Sequence, residues 1–263
     1  MSDNPGTLET HLRKCRADGR KILIPYITGG YPVGQWTRLI DGLAGAGADA
    51  IEVGIPFSDP VIDGPTIQES SMMALEAGAT PASILAELKE VTNSVPLIAM
   101  TYYNICFRMG HKRFASSLAE AGVSAAILPD LPVGELDTWA DAAVDGPIET
   151  VLLAPPTVSD AQLKVIGDRA QGFVYGVGLV GTTGERSELS SSALDIATRL
   201  KAVTDKPVII GIGVSTPSQA AEISKVADGV VVGSAVIRKM LGDGSIDDAV
   251  EFVGEIRAAL DQA

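Results

Sequence analysis

Short runs of apolar, largely β-branched residues recur along the chain, at positions 22–27, 50–55, 97–102, 125–128, 150–154, 173–177, 208–212 and 230–232. Each run suits a strand and is too short for a helix, and most lack apolar–polar alternation, so they read as parallel strands covered on both faces. Between the runs the apolar period changes from two to 3.6. Trp36, Leu39, Ile40, Leu43 and Ala44 make one helical stripe. Ile246, Val250, Val253, Ile256 and Leu260 make another, with Ser245 in place to cap it. Thr80-Pro81 and Thr216-Pro217 each read as an N-cap followed by proline in the first helical turn. Eight strand–helix units, about 30 residues each on average, predict an α/β chain whose residues 1–263 form one (β/α)8 TIM-barrel domain.

Two spacings are longer than the rest, between the second and third strands and between the sixth and seventh. The excess is expected in segments 56–65 and 178–189, long loops after strands 2 and 6. Both follow C-terminal strand ends, where barrels of this kind build their active sites. Ahead of the first strand, His11, Leu12 and Cys15 fall at near-helical spacing, so an extra N-terminal helix is expected to plug the opposite end.

Composition narrows the function. Hydrophobic residues make up 46% of the 263 and charged residues 20%, with no run long enough to span a bilayer. The start of the chain carries Asp3, Glu9, Arg13, Lys14 and Arg16 and lacks the apolar core of a secretion signal, so a cytoplasmic enzyme or binding protein is expected. A net charge of −13 repels nucleic acid and anionic lipid, and a phosphate ligand would have to be held by local groups. Cys15 and Cys106 are far apart and outside any metal or redox motif, so they read as free thiols.

Candidate chemistry follows partly by elimination. Barrels often break carbon–carbon bonds through a Schiff-base lysine at a strand end. Here Lys21 and Lys206 precede their strands, and the other lysines fall on predicted helices or connections. His11 and His111 are the only histidines and neither lies at a C-terminal strand end, which disfavours a histidine-held metal or a hydrolytic triad. What lies there is carboxylate: Glu52 inside the apolar run 50–55, and Asp63 eleven residues on. A charge in a buried strand costs several kcal/mol, on the order of a lost buried pair, unless it is paired, hydrogen-bonded or protonated. Glu52 is therefore either a structural ion-pair member or a general acid/base with a raised pKa.

Gly211-Ile212-Gly213 closes the seventh strand and Gly233-Ser234 the eighth, where barrel loops and a following helix N-terminus commonly hold phosphate. The same glycines would also serve as plain tight turns. Gly176, Gly178, Gly181 and Gly184, with Thr182 and Thr183, read as a lid or as an ordinary surface loop.

Together these residues carry a resemblance. Ile51-Glu52-Val53-Gly54-Ile55-Pro56-Phe57-Ser58-Asp59-Pro60, followed by Asp63-Gly64-Pro65-Thr66-Ile67-Gln68, closely resembles the signature of tryptophan synthase α subunits. The likeness continues through Pro25 to Pro32, Met100 to Asn104, Pro129 to Pro132, Thr183-Gly184, Gly211 to Gly213 and Gly233 to Ala235. It covers essentially the whole chain.

The resemblance implies retro-aldol cleavage of indole-3-glycerol phosphate to indole and glyceraldehyde 3-phosphate, in tryptophan biosynthesis. No cofactor is implied. Glu52 would be the catalytic acid/base and Asp63 the carboxylate that binds the indole nitrogen. Tyr26, Met100, Tyr102, Leu128 and Tyr175 would surround the indole, while Thr183 closes over the substrate and Gly184, Gly213, Gly233 and Ser234 hold the phosphate. The implied partner is the pyridoxal-phosphate β subunit in an α2β2 assembly, which receives the indole. The family often has a polar Ser and Arg where this chain reads Gly178-Leu179-Val180-Gly181, and often Phe where it has Tyr26, whose hydroxyl needs a partner or water. An indole-3-glycerol-phosphate synthase would show strand-end lysines. A noncatalytic barrel activating a partner would have lost the acid pair or phosphate loops, and a stand-alone indole-producing lyase would share the same site.

Overall fold

The structure, a computed structural model, describes residues 5–92, 94–178, 191–211 and 213–263. Eight parallel strands close into a barrel in chain order: β1 Ile22–Thr28, β2 Ile51–Gly54, β3 Leu97–Met100, β4 Val123–Ile127, β5 Glu149–Ala154, β6 Val174–Val177, β7 Val208–Gly211 and β8 Gly229–Val232. The ring closes where β1 pairs with β8, Ile22 beside Gly229 and Pro25 beside Val232. Around it run α1 Thr7–Ala17, α2 Trp36–Gly45, α3 Pro65–Glu76, α4 Pro81–Lys89, α5 Tyr103–Met109 and α6 His111–Glu120. They are followed by α7 Asp137–Asp145, α8 Asp160–Arg169, α9 Ser191–Val203, α10 Pro217–Ser224, α11 Ser234–Arg238 and α12 Ile246–Leu260. No helix among the described residues is long and apolar enough to cross a membrane.

Alternation along each strand divides the core in two. Ile22, Ile24, Ile98, Ile127, Val151, Phe173 and Ile209 point inward and pack on one another. Their sequence neighbours Leu23, Ile51, Val53, Ala99, Ala126 and Val208 face the helices, where Trp36, Leu39, Ile40 and Leu43 of α2 meet them. The expected caps form: Thr80, Thr216 and Ser245 each accept a hydrogen bond from a first-turn amide. The long spacing after β2 is only partly loop, because α3 and α4 together fill half of it. An extra short helix, α5, also follows β3, which hydrophobic periodicity did not reveal.

The floor is sealed by α1, whose Leu8, Leu12 and Cys15 pack into the inner core. Buried Glu149, at the start of β5, accepts hydrogen bonds from the Leu8 and Glu9 amides at 2.6 and 2.9 Å and so caps the plug helix. Asp49 and Asp228 are similarly engaged: Asp49 takes the Leu23 amide and Arg20, and Asp228 takes the Val208 amide and Lys201. Every one of these floor carboxylates is answered by a cation or by backbone N–H groups.

Candidate active site

At the opposite end one carboxyl is not answered. Ile51 and Val53 face the helices, so the strand period turns Glu52 into the barrel, beside Tyr26 of β1 and Ile98 of β3 in register. Glu52 is 1% exposed, and its Oε2 has no hydrogen-bond partner. Burial first, and the charge of Asp63 second, push its pKa from 4.5 up to about 8. The structural ion-pair reading of Glu52 finds no support, since no cation pairs with it among the described residues.

Asp63 stands two residues before α3, on the loop that leaves β2. The loop is braced by the Gln68 amide, which donates to the Asp63 carbonyl at 2.8 Å. Tyr102, two residues beyond β3 at the N-cap position of α5, does more. Its hydroxyl accepts from the Ile62 and Asp63 amides at 3.0 and 3.2 Å, which pins the loop that carries Asp63. Phe57 stacks on the Tyr102 ring at 5.2 Å. Burial raises the Asp63 pKa to about 6 and the nearby Tyr102 hydroxyl holds it back, while the Tyr102 phenol is pushed up to about 12, chiefly by burial.

Both carboxyls open onto one cavity of about 680 Å³, its mouth included. Tyr26, Met100, Leu153, Tyr175 and Val231 make a mostly apolar wall, and Gly213, Val214, Ser215, Gly233 and Ser234 lie along the β7 and β8 ends. No Lys, Arg or His lines it among the described residues. The two tyrosines reach across by using space that glycines leave. A Cβ on Gly54 would lie 2.0 Å from the Tyr26 hydroxyl, and one on Gly211 would lie 2.1 Å from that of Tyr175. Burial raises both phenols, so they stay protonated at any working pH. Gly213 has φ +107°, a conformation that L side chains rarely adopt. Gly233 precedes the first turn of α11, and Ser234 begins it.

A family model described as the tryptophan synthase alpha chain matches residues 12–258. The chain belongs to the tryptophan synthase alpha chain family. Its relatives include the tryptophan synthase alpha chain of Streptomyces coelicolor, 40% identical over all of this chain and 97% of that protein. That of Methanopyrus kandleri is 39% identical over 96% of this chain and 93% of its own. Among solved structures, Mycobacterium tuberculosis tryptophan synthase superposes with a TM-score of 0.90 at 36% identity, covering 98% of this chain and 99% of that one.

Most of the residues singled out by the family signature converge on the one cavity: Glu52, Asp63, Tyr26, Met100, Tyr175, Gly213, Gly233 and Ser234 all line it. Tyr102 lines a small adjoining cavity that shares Tyr26, Asp63 and Met100 with the main one. Leu128 departs from expectation. It is buried one residue beyond the inward-facing Ile127 and packs in the outer core, so it lines neither cavity. Thr183 and Gly184 lie outside the described residues, as does most of the segment read as a lid. Sequence reasoning missed Leu153, Val231, Ile62 and Ile67, which are ordinary apolar residues until the barrel closes, and missed the space-giving roles of Gly54 and Gly211.

Proposed function

We propose that this chain performs the α reaction of tryptophan synthase, cleaving indole-3-glycerol phosphate into indole and glyceraldehyde 3-phosphate, and hands the indole to a pyridoxal-phosphate β subunit in an α2β2 assembly. The whole chain would act as one barrel domain in the cytoplasm. The observation that carries this reading is the pair of carboxyls in a mostly apolar cavity, one of them buried with an unpartnered oxygen.

The bond between indole C3 and the side chain breaks only if its electrons have somewhere to go. Protonating C3 turns the ring into an indolenine cation that serves as the sink. With a pKa of about 8, Glu52 holds a proton at neutral pH and can deliver it to C3. The resulting carboxylate then takes the proton from the hydroxyl on the adjacent side-chain carbon. As that carbon becomes the aldehyde, the bond electrons return to the ring as indole, so one proton enters and one leaves. Asp63, ionised above about pH 6, accepts the N1–H and offsets the positive charge that develops there. Phosphate is assigned to the amides around Gly213, Gly233 and Ser234, where glycine lets oxygens approach the backbone.

Indole release from indole-3-glycerol phosphate, with and without a tryptophan synthase β subunit, tests the proposal. Slow release by the chain alone that rises on adding the partner is expected. Full activity alone, with no complex by light scattering, overturns the partnership, and no indole under either condition overturns the lyase reading.

A further inference from the structure

Gly213, Val214 and Ser215 line the cavity, and α10 begins two residues later with Pro217. Gly213 does not fix this stretch by itself, since at φ +107° it has a freedom that other residues lack. Its two successors are fixed from outside. Val214 is buried in the outer core, and Ser215 is held by Gln219 of α10, a polar side chain only 5% exposed. The Gln219 Oε1 accepts the Ser215 amide at 2.8 Å and the Ser215 hydroxyl at 3.0 Å. Ala220 and Ile223 root the same helix in the core, so the tether has a firm base.

The pattern is a capping box moved by one residue. Helices α4, α8 and α12 carry ordinary boxes, in which the third helical residue bonds back to the amide of the cap residue. In α8 that bond runs from the Ser159 amide to Gln162 Oε1, at 3.0 Å. In α10 the cap residue Thr216 accepts the Gln219 amide at 3.3 Å, as a box requires, but the glutamine oxygen reaches past Thr216 to Ser215. Capping would be served by the Thr216 amide; the longer reach serves the loop. We propose that Gln219 is a positioning residue that fixes the 213–215 backbone for a phosphate group before the ligand arrives. A loop that turns on a glycine and is held in advance loses little freedom when oxygens settle on it. Gln219 itself does not line the cavity, so it acts through Ser215. The inference rests on the phosphate assignment in the proposed function and deepens it by naming the side chain that shapes that end of the site.

Gln219→Met keeps the volume and removes the acceptor, and Gln219→Asn shortens the reach by one carbon. Ser215→Ala keeps the amide bond and loses the hydroxyl. Gln162→Met, which breaks the ordinary box of α8, is the control. Glycerol 3-phosphate and indole are titrated into each folded chain by calorimetry, which needs no turnover. Glycerol 3-phosphate should bind about tenfold more weakly to Gln219→Met and about threefold or more weakly to Gln219→Asn. Ser215→Ala and Gln162→Met should stay within about twofold of wild type, and indole, which has no phosphate, should bind all of the chains alike. Unchanged glycerol 3-phosphate affinity in the Gln219 variants overturns the inference. So does a loss in Ser215→Ala as large as in Gln219→Met, which would put the hydroxyl on the ligand, or an equal loss in Gln162→Met, which would reduce the effect to helix capping. A parallel loss of indole affinity would mark a structural defect and overturn it as well. Failure of wild type itself to bind glycerol 3-phosphate overturns the phosphate assignment, and the inference with it.

Discussion

Burying Glu52 without a partner leaves a mark on stability that can be measured without substrate. A carboxyl raised from 4.5 to about 8 on folding keeps its proton in the folded chain at pH values where the unfolded chain has released it. Folding then takes up a proton between those values, so wild-type stability falls as pH rises through that window and levels off above it. At roughly 1.4 kcal/mol for each pKa unit, the full effect is about 5 kcal/mol. Glu52→Gln keeps the size of the side chain and removes the titration. The amide has its own burial cost, but a pH-independent one, so the slope of the difference between the two chains is the observable. Asp63 is present in both, and its contribution largely cancels. Urea unfolding of both chains from pH 4 to pH 9.5 should show Glu52→Gln gaining on wild type by up to about 1.4 kcal/mol per pH unit between pH 4.5 and 8, then holding steady. Parallel curves across that window would mean that Glu52 titrates normally, and the argument from unpaired burial would be wrong.

Asp63→Asn keeps one acceptor oxygen but loses the charge that offsets the indolenine cation, so turnover should drop at least 10²-fold, by analogy with about that loss for a removed oxyanion-hole donor, while the barrel still folds by circular dichroism. Any residual activity should keep the Glu52 limb of the pH profile. Gly233→Val tests phosphate binding, because an added Cβ would meet nothing nearer than the Tyr26 Cβ at 3.5 Å. Glycerol 3-phosphate should bind about tenfold or more weakly to the folded variant; equal affinity would move the phosphate elsewhere. Glu149→Leu strips the acceptor from the Leu8 and Glu9 amides at the plug helix, which should cost about 2 to 4 kcal/mol of stability and leave KM unchanged. A KM that rises with it would tie the floor to the site.

The barrel was legible because its strands are covered on both faces and separated by helical stripes, so eight apolar runs could be read directly. Their ends were less so. The runs at 50–55 and 97–102 overshoot β2 and β3, because hydrophobicity continues past the point where the ladder stops and the chain turns into loops that line the cavity. Tyr102 is the instructive case: it reads as the last residue of a strand but serves as the N-cap position of α5, which frees its hydroxyl to hold Asp63. Glu52 was conspicuous as a charge inside an apolar run. The Gln219 tether was invisible, since Thr216-Pro217-Ser218-Gln219 reads as an ordinary helix start until the glutamine is seen to reach Ser215.

The account rests on Glu52 carrying both proton transfers, and the most direct test is turnover of indole-3-glycerol phosphate by Glu52→Gln, measured beside its affinity for the same substrate. General acid/base catalysis typically contributes about 10²- to 10⁴-fold, and one residue serving two transfers should lose at least the upper end of that range while substrate still binds. Turnover near the wild-type rate would contradict the mechanism and return Glu52 to the scaffold.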